Sequence, residues 1–295
     1  MAITTQMIKE LRDRTSAGMM DCKHALEATN GDVDKACDWL REKGIAKAAK
    51  KEGRIAAEGL TTVVASGNKV TVLEVNIETD FAARNEKFKQ LVNDLANVLV
   101  NSDAKTMDEA NKVLLNGIPV SEAIVHATAT IGEKISFRRF ETITKKEGEN
   151  IGCYIHMGGK ISTAVLIKGG SEEVASNVAM HVAGLAPIFL DQASIDPAYL
   201  EKETHVQLEA AKNDPKLAGK PEAMLQNIIK GKVMKEVKEV CLAEQPFVMD
   251  NTISVGQYVK NNGGELIKFV RFMVGEGLEH RNEDFAAEVA AQIKA

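Results

Sequence analysis

Aromatic residues are scarce in this 295-residue chain, at 4% with a single Trp, so its cores must rest on Val, Ile, Leu, Met and Ala. Cysteine is rarer still: Cys22, Cys37, Cys153 and Cys241 stand far apart, without metal-ligand spacing. They read as buried free thiols in a reducing compartment. No apolar run approaches the roughly 20 residues that cross a bilayer. The opening Met1-Ala2-Ile3-Thr4-Thr5-Gln6 has neither a signal-peptide core nor the Arg-rich character of a transit peptide. The expectation is a cytoplasmic chain with no membrane partner. Excess positive charge is also missing. A net charge of -5 and a pI near 5.8 argue against a dedicated nucleic-acid binder, which needs a basic surface for phosphate. An acidic mean can still hide a basic patch.

Catalytic signatures are absent as well. A phosphate-cradling loop needs two glycines with four residues between them, the second followed by Lys and then Ser or Thr. Gly158-Gly159-Lys160-Ile161-Ser162 meets neither requirement. There is no GxSxG elbow, HExxH pair or calcium loop. The six histidines, His24, His126, His156, His181, His205 and His280, are scattered. The expectation is therefore a protein that is not an enzyme, with no cofactor and no metal. An enzyme whose site is dispersed along the chain stays open at this point. So does an adaptor or RNA-associated module.

The organisation that is present reads as α+β. The length suits two or three domains. Residues 1–53 read as a three-helix module plus a helical linker. Thr4 or Thr5 caps a helix carrying Met7, Ile8 and Leu11, and a turn at Ser16-Ala17-Gly18 leads to a second helix over 19–29. Gly31 stops it, and Asp32 caps a third helix that buries Val33, Ala36 and Leu40. The Ala-rich, basic run from Lys43 to Arg54 reads as the linker, chiefly a solvated face.

Residues 54–145 then read as a first subdomain: a hairpin turning at Ser66-Gly67-Asn68, a helix striped by Phe88, Leu91, Leu95 and Val98, two short helices, and a strand over 134–142. Residues 146–279 repeat that order, with a turn at Gly158-Gly159, a helix over 174–185 and a late strand over 266–274. Gly132-Glu133-Lys134-Ile135-Ser136-Phe137 and Gly264-Glu265-Leu266-Ile267-Lys268-Phe269 are alike, which suggests two related antiparallel α+β subdomains. The second is interrupted at 197–243 by an antiparallel helical hairpin. Leu200, Thr204, Leu208 and Ala211 stripe its first helix; Leu225, Ile229, Val233, Val237 and Val240 stripe its second, with Pro221 at the first helical position. A short helix over 284–293 forms a last module at 280–295.

Two segments are candidates for binding. Thr79-Asp80-Phe81-Ala82 falls between a strand and a helix. Thr79 or Asp80 suits an N-cap, after which Phe81 is either a hydrophobic staple or an exposed aromatic anchor beside a carboxylate. In Gly18-Met19-Met20-Asp21, neighbouring side chains diverge by about 100° on a helix, so at least one methionine is exposed.

Glu10-Leu11-Arg12-Asp13-Arg14-Thr15-Ser16-Ala17-Gly18-Met19-Met20-Asp21-Cys22 closely resembles the N-terminal signature of the bacterial elongation factor Ts family. Leu73-Glu74-Val75-Asn76-Ile77-Glu78-Thr79-Asp80-Phe81-Ala82 resembles its second signature. Met180-His181-Val182-Ala183, Gln245-Pro246-Phe247-Val248-Met249 and Asp284-Phe285-Ala286-Ala287 continue the likeness in order. The resemblance implies guanine nucleotide exchange on elongation factor Tu, bound in its GDP and nucleotide-free states. It implies a ubiquitin-associated-like N-terminal module whose Arg12, Met19 and Met20 touch Tu's nucleotide-binding domain. It implies that Thr79, Asp80, Phe81 and Ala82 work beside Tu's magnesium and help dislodge it, and that His156, Val248 and Met249 make further contacts. Assembly of two copies on two Tu molecules is left open. Ala82 departs from the family's usual Val, and residues 102–118 fit the family pattern poorly.

Overall fold

The computed structural model describes residues 3–15, 17–214, 217 and 221–279. The fold is mixed α+β, in two compact units. The first holds Met1–Thr142, Met157–Ile161 and the described chain from Phe272 on; the second holds Ile143–His156 and Ser162–Arg271. The helix expected over 284–293, with its module at 280–295, lies outside the described residues.

The first unit begins with three helices, α1 (Thr5–Thr15), α2 (Met19–Ala28) and α3 (Val33–Ala49). Thr4 caps α1 through the Met7 N–H, and Asp32 caps α3 through the Lys35 N–H. Leu11, Cys22, Ala25, Leu26 and Ala36 make a small buried core without a buried aromatic ring. The run from Lys43 on is helical as far as Ala49, where it forms the unbroken end of α3. It also packs on a later helix of the unit, over Val120–Ile131, where Gly44 comes so close that a Cβ would sit 3.3 Å from the Ala129 methyl. The run is largely exposed, as a solvated face, and two of its cations are engaged: Lys47 pairs with Asp21 at 3.0 Å, and Lys51 donates to the Gly132 carbonyl.

Strands β1 (Glu58–Ser66) and β2 (Lys69–Ile77) pair antiparallel around Gly67-Asn68, in a register that sets Val63 opposite Val72. After α4 (Asp80–Ala83), helix α5 (Glu86–Val100) lies across this hairpin. Phe88 and Leu95 are buried as their spacing suggests, but Val92, Ala96 and Leu99 complete the buried face while Leu91 and Val98 flank it. The helix offers a face wider than a four-residue stripe, and the two-stranded surface beneath occupies that width. Next come α6 (Met107–Ala110), the short pair β3 (Leu114–Leu115) and β4 (Ile118–Pro119), then α7 (Val120–Ile131) and β5 (Ile135–Thr144), giving sheet order β1-β2-β5.

In the second unit, β6 (Glu149–His156) and β7 (Ile161–Gly169) precede α8 (Glu172–Leu185), whose Val174, Val178 and Val182 enter the core. Helices α9 (Pro197–Lys212) and α10 (Glu222–Val240) form the hairpin. On α10, Ile229, Val233 and Val237 are buried. On α9 the expected stripe is corrected: Thr204 and Leu208 are exposed, and Leu200, Gln207 and Ala211 turn inward, with Gln207 donating to Glu236. Intervals of seven and four residues keep one helical face, whereas Leu208 lies about 100° round from Gln207. Pro221 is corrected by one place, being the extended N-cap of α10; Pro197 holds the first-turn position on α9. Strands β8 (Pro246–Phe247) and β9 (Asp250–Ser254), helix α11 (Val255–Asn261) and β10 (Gly264–Met273) follow, and the larger sheet runs β10-β7-β6.

Candidate partner interface

Strand β2 ends on Ile77, fully buried, and the next two residues are tied down on both sides. The Glu78 carboxylate accepts the Lys134 N–H at 2.6 Å and the Arg54 guanidinium at 3.2 Å. Thr79 donates its backbone N–H to Glu133 at 3.0 Å and its hydroxyl to the same carboxylate at 2.9 Å. The chain can present Glu133 and Lys134 here because Gly132 ends α7 with φ of 90°, a conformation that favours glycine.

Thr79 is the N-cap of α4, its hydroxyl accepting the Ala82 N–H at 3.1 Å. Asp80 is not the cap; it pairs with Arg84 at 3.0 Å on the surface. Ala82 and Ala83 turn inward to the core, so the missing methyls of Ala82 bear on packing inside the unit. Phe81 points the other way and is 85% exposed. The staple alternative is thereby excluded: the ring takes no part in the core of its unit, whereas Phe88 is fully buried seven residues on.

The N-terminal candidates are also on the surface. Arg12 is exposed on α1, and Met19 and Met20 are both exposed, at 58% and 59%, in the first turn of α2. Both methionines escape the core because Cys22, Ala25 and Leu26 already fill the inner face of that helix.

In the second unit, Val248 and Met249 are exposed at 52% and 61% on the turn between β8 and β9. That turn hangs on a histidine to which the sequence assigned no role. His181 is fully buried on α8; its Nδ1 accepts the Val248 N–H at 3.2 Å, and its Nε2 lies 2.9 Å from the Gln245 Oε1. An Nδ1 that accepts leaves the proton on Nε2, which donates to Gln245. Gln245 in turn donates to the Leu185 and Glu239 carbonyls. His156 is half-buried at the end of β6 with the Tyr154 hydroxyl 3.3 Å from its Nδ1, and Met157, next in the chain, is the more exposed residue.

Burial holds the His181 pKa below the ordinary 6.5, against the opposing pull of its Gln245 hydrogen bond. The sign follows from linkage: below 6.5 the unfolded imidazole binds a proton before the folded one does, so stability falls as pH falls towards the depressed folded value. Urea unfolding between pH 8 and 5 should show a loss of at most about 1.4 kcal/mol per pH unit from this residue. His181→Gln should flatten that slope, and an unchanged slope in the variant would remove His181 as its source.

Among the described residues no cluster of three or more His, Cys, Asp or Glu could hold a metal. All four cysteines are free, and burial pushes the Cys153 and Cys241 thiols up to about 11, away from thiolate reactivity. A cleft of about 480 Å³ beside the N-terminal helices is lined by Trp39, Lys43 and His126 among others; Gly18 and Asp21 line it too, but neither Met19 nor Met20 does. Among the described residues no helix is long and apolar enough to cross a membrane.

Residues 78–276, more than half the chain, match the sequence model of the family described as Elongation factor TS. The chain belongs to the elongation factor Ts family. Elongation factor Ts of Acholeplasma laidlawii (strain PG-8A) is 47% identical over 294 residues, covering 99% of each chain. Elongation factor Ts of Spiroplasma citri is 44% identical over 294 residues, again covering 99% of each. The family match begins at Glu78, so it takes in Thr79 to Ala82, Glu133, His181 and Val248. Arg12, Met19 and Met20 precede it and rest on the relatives' full-length likeness.

Proposed function

We propose that this translation elongation factor is the guanine nucleotide exchange factor for elongation factor Tu. In this reading it binds Tu carrying GDP, dislodges the magnesium ion and leaves Tu open to GTP, all in the cytoplasm. The observation that carries the reading is Phe81, an aromatic ring held in solvent on a segment tied down at Glu78 and Thr79, in a chain of this family. A large exposed aromatic on a fixed backbone is suited to fill a pocket on a partner. Asp80 beside it supplies a carboxylate, and its surface pair with Arg84 is worth only about 0.3–0.5 kcal/mol, so releasing it towards a partner's cation costs little.

Arg12, Met19 and Met20 are assigned to Tu's nucleotide-binding domain, and His156, Val248 and Met249 to its other surfaces. No bond is made or broken. A protein that prefers nucleotide-free Tu must weaken GDP by the same factor that GDP weakens its own binding. A diphosphate without its cation loses its strongest attraction and leaves.

Stopped-flow release of a fluorescent GDP from Tu tests this. The chain should accelerate release in a concentration-dependent, saturable way and should turn over no GTP by itself. Release no faster than from Tu alone, or GTP turnover without Tu, would overturn the reading.

A further inference from the structure

We infer that Glu133 is a positioning residue for exchange: by holding the N–H and hydroxyl of Thr79, it fixes the outward direction of Phe81. The inference rests on the exchange reading above.

Helix α4 has four residues, too short to be stable by itself. Its direction must be imposed from outside: Ala82 and Ala83 turn into the core, and Asn85, donating its N–H to the Ala82 carbonyl, joins its far end to α5. Its near end is held by the cap, and the cap rests on Glu133. The Thr79 hydroxyl accepts the Ala82 N–H, which requires its own proton to point elsewhere. That proton goes to Glu133, 2.9 Å from one carboxylate oxygen and 3.1 Å from the other, and the Thr79 N–H goes to the second oxygen at 3.0 Å. Bonds to a carboxylate are the stronger kind, and two of them fix the rotation of the residue as well as its place.

The tie is reciprocal. Glu78 accepts from Lys134 N–H while Glu133 accepts from Thr79 N–H, so two consecutive residues on each side hold each other. Phe81 lies two residues beyond this clasp. What Glu133 supplies to Thr79 is chiefly an acceptor at the right reach: both donors are neutral, so loss of the charge weakens the two bonds without removing them. A glutamine carbonyl in the same place can accept both bonds, whereas aspartate keeps the charge but draws it back by one methylene.

The test measures fluorescent GDP release from Tu against concentration of the full-length chain. Glu133→Ala should lower the saturating release rate about tenfold, with the half-saturating concentration within about twofold, because the loss concerns the release step. Glu133→Gln should stay within about threefold of the parent, and Glu133→Asp should fall nearly as far as Glu133→Ala. In a Phe81→Ala background, Glu133→Ala should add less than about twofold, since both changes remove the same presented ring.

Parent-like release by Glu133→Ala or Glu133→Asp overturns the inference, and so does a full loss that persists when Phe81 is already alanine. Should Glu133→Ala melt the region, the Gln and Asp variants decide by their contrast, and equal rates for the two sink the idea. A silent Phe81→Ala would instead be a failure of the exchange site itself.

Discussion

Replacing Phe81 by alanine is expected to slow stimulated GDP release about 10- to 100-fold, or about 1.4–2.7 kcal/mol of barrier, while leaving the melting temperature where it was. The two halves of that result come from one fact, the 85% exposure of the ring. Truncating a side chain outside the core of its unit removes no core contact, so stability should stay within about 0.5 kcal/mol. The same truncation at buried Phe88 would cost about 3–5 kcal/mol. On a partner, the ring can act uniformly or only as the nucleotide leaves. Uniform binding would raise the half-saturating concentration at a constant maximal rate; action in the release step lowers the maximal rate itself. The second is expected, because Arg12, Met19 and Met20 offer a separate surface to carry affinity. A variant as fast as the parent at saturation, with an intact melt, removes Phe81 from the mechanism.

The direction of Phe81 is also where sequence reading met its limit. A cap between strand and helix was legible at Thr79 or Asp80, because both residue types have that local role, and the structure assigns it to Thr79. Whether the next aromatic turned in or out was not, because the local pattern suits both and leans towards a staple, the reading that the exposed ring overturns. The deciding contact comes from Glu133, 54 residues away. His181 behaves alike: its place on a helix was clear, but its role depends on Gln245 and Val248, more than 60 residues distant. Hairpins were legible because β-branched alternation broken by glycine is a short-range signal, and the pairing of β1 with β2 follows from it. On α9 hydrophobicity misled, since Leu208 looked like a core residue and Gln207 took the inward face with Glu236 as partner. Apolar spacing ranks candidates for burial, and a polar pair across a narrow helical hairpin can displace one of them.

Glu74→Gln should be the most destabilising single exchange of one polar side chain for another in the first unit, at about 3–5 kcal/mol. Glu74 sits on β2, wholly buried, yet it is charged. Burial alone would raise its pKa above the ordinary 4.5; the Gly275 N–H, the Asn76 amide and Arg139 outweigh that and hold it below. Its oxygens accept from Arg138 at 3.0 Å, Arg139 at 2.6 Å, Asn76 at 2.9 Å and the Gly275 N–H at 2.8 Å. The two arginines also reach on to the Glu276 and Met273 carbonyls, and Arg139 stacks 4.3 Å over Phe272. One carboxylate therefore binds β2, β5 and the chain beyond β10 within the same unit. Glutamine keeps the shape but turns an acceptor into a donor facing two cations, so the desolvation cost remains without its compensation. The acid limb follows the same logic. A depressed folded pKa gives stability that is complete above about 4.5 and is lost as pH falls through the folded value, and the Gln variant should lack that limb. Calorimetry at pH 7 and pH 4 measures both. A variant that melts with the parent at pH 7 would mean that the arginines find other partners and that Glu74 does not hold the three segments together.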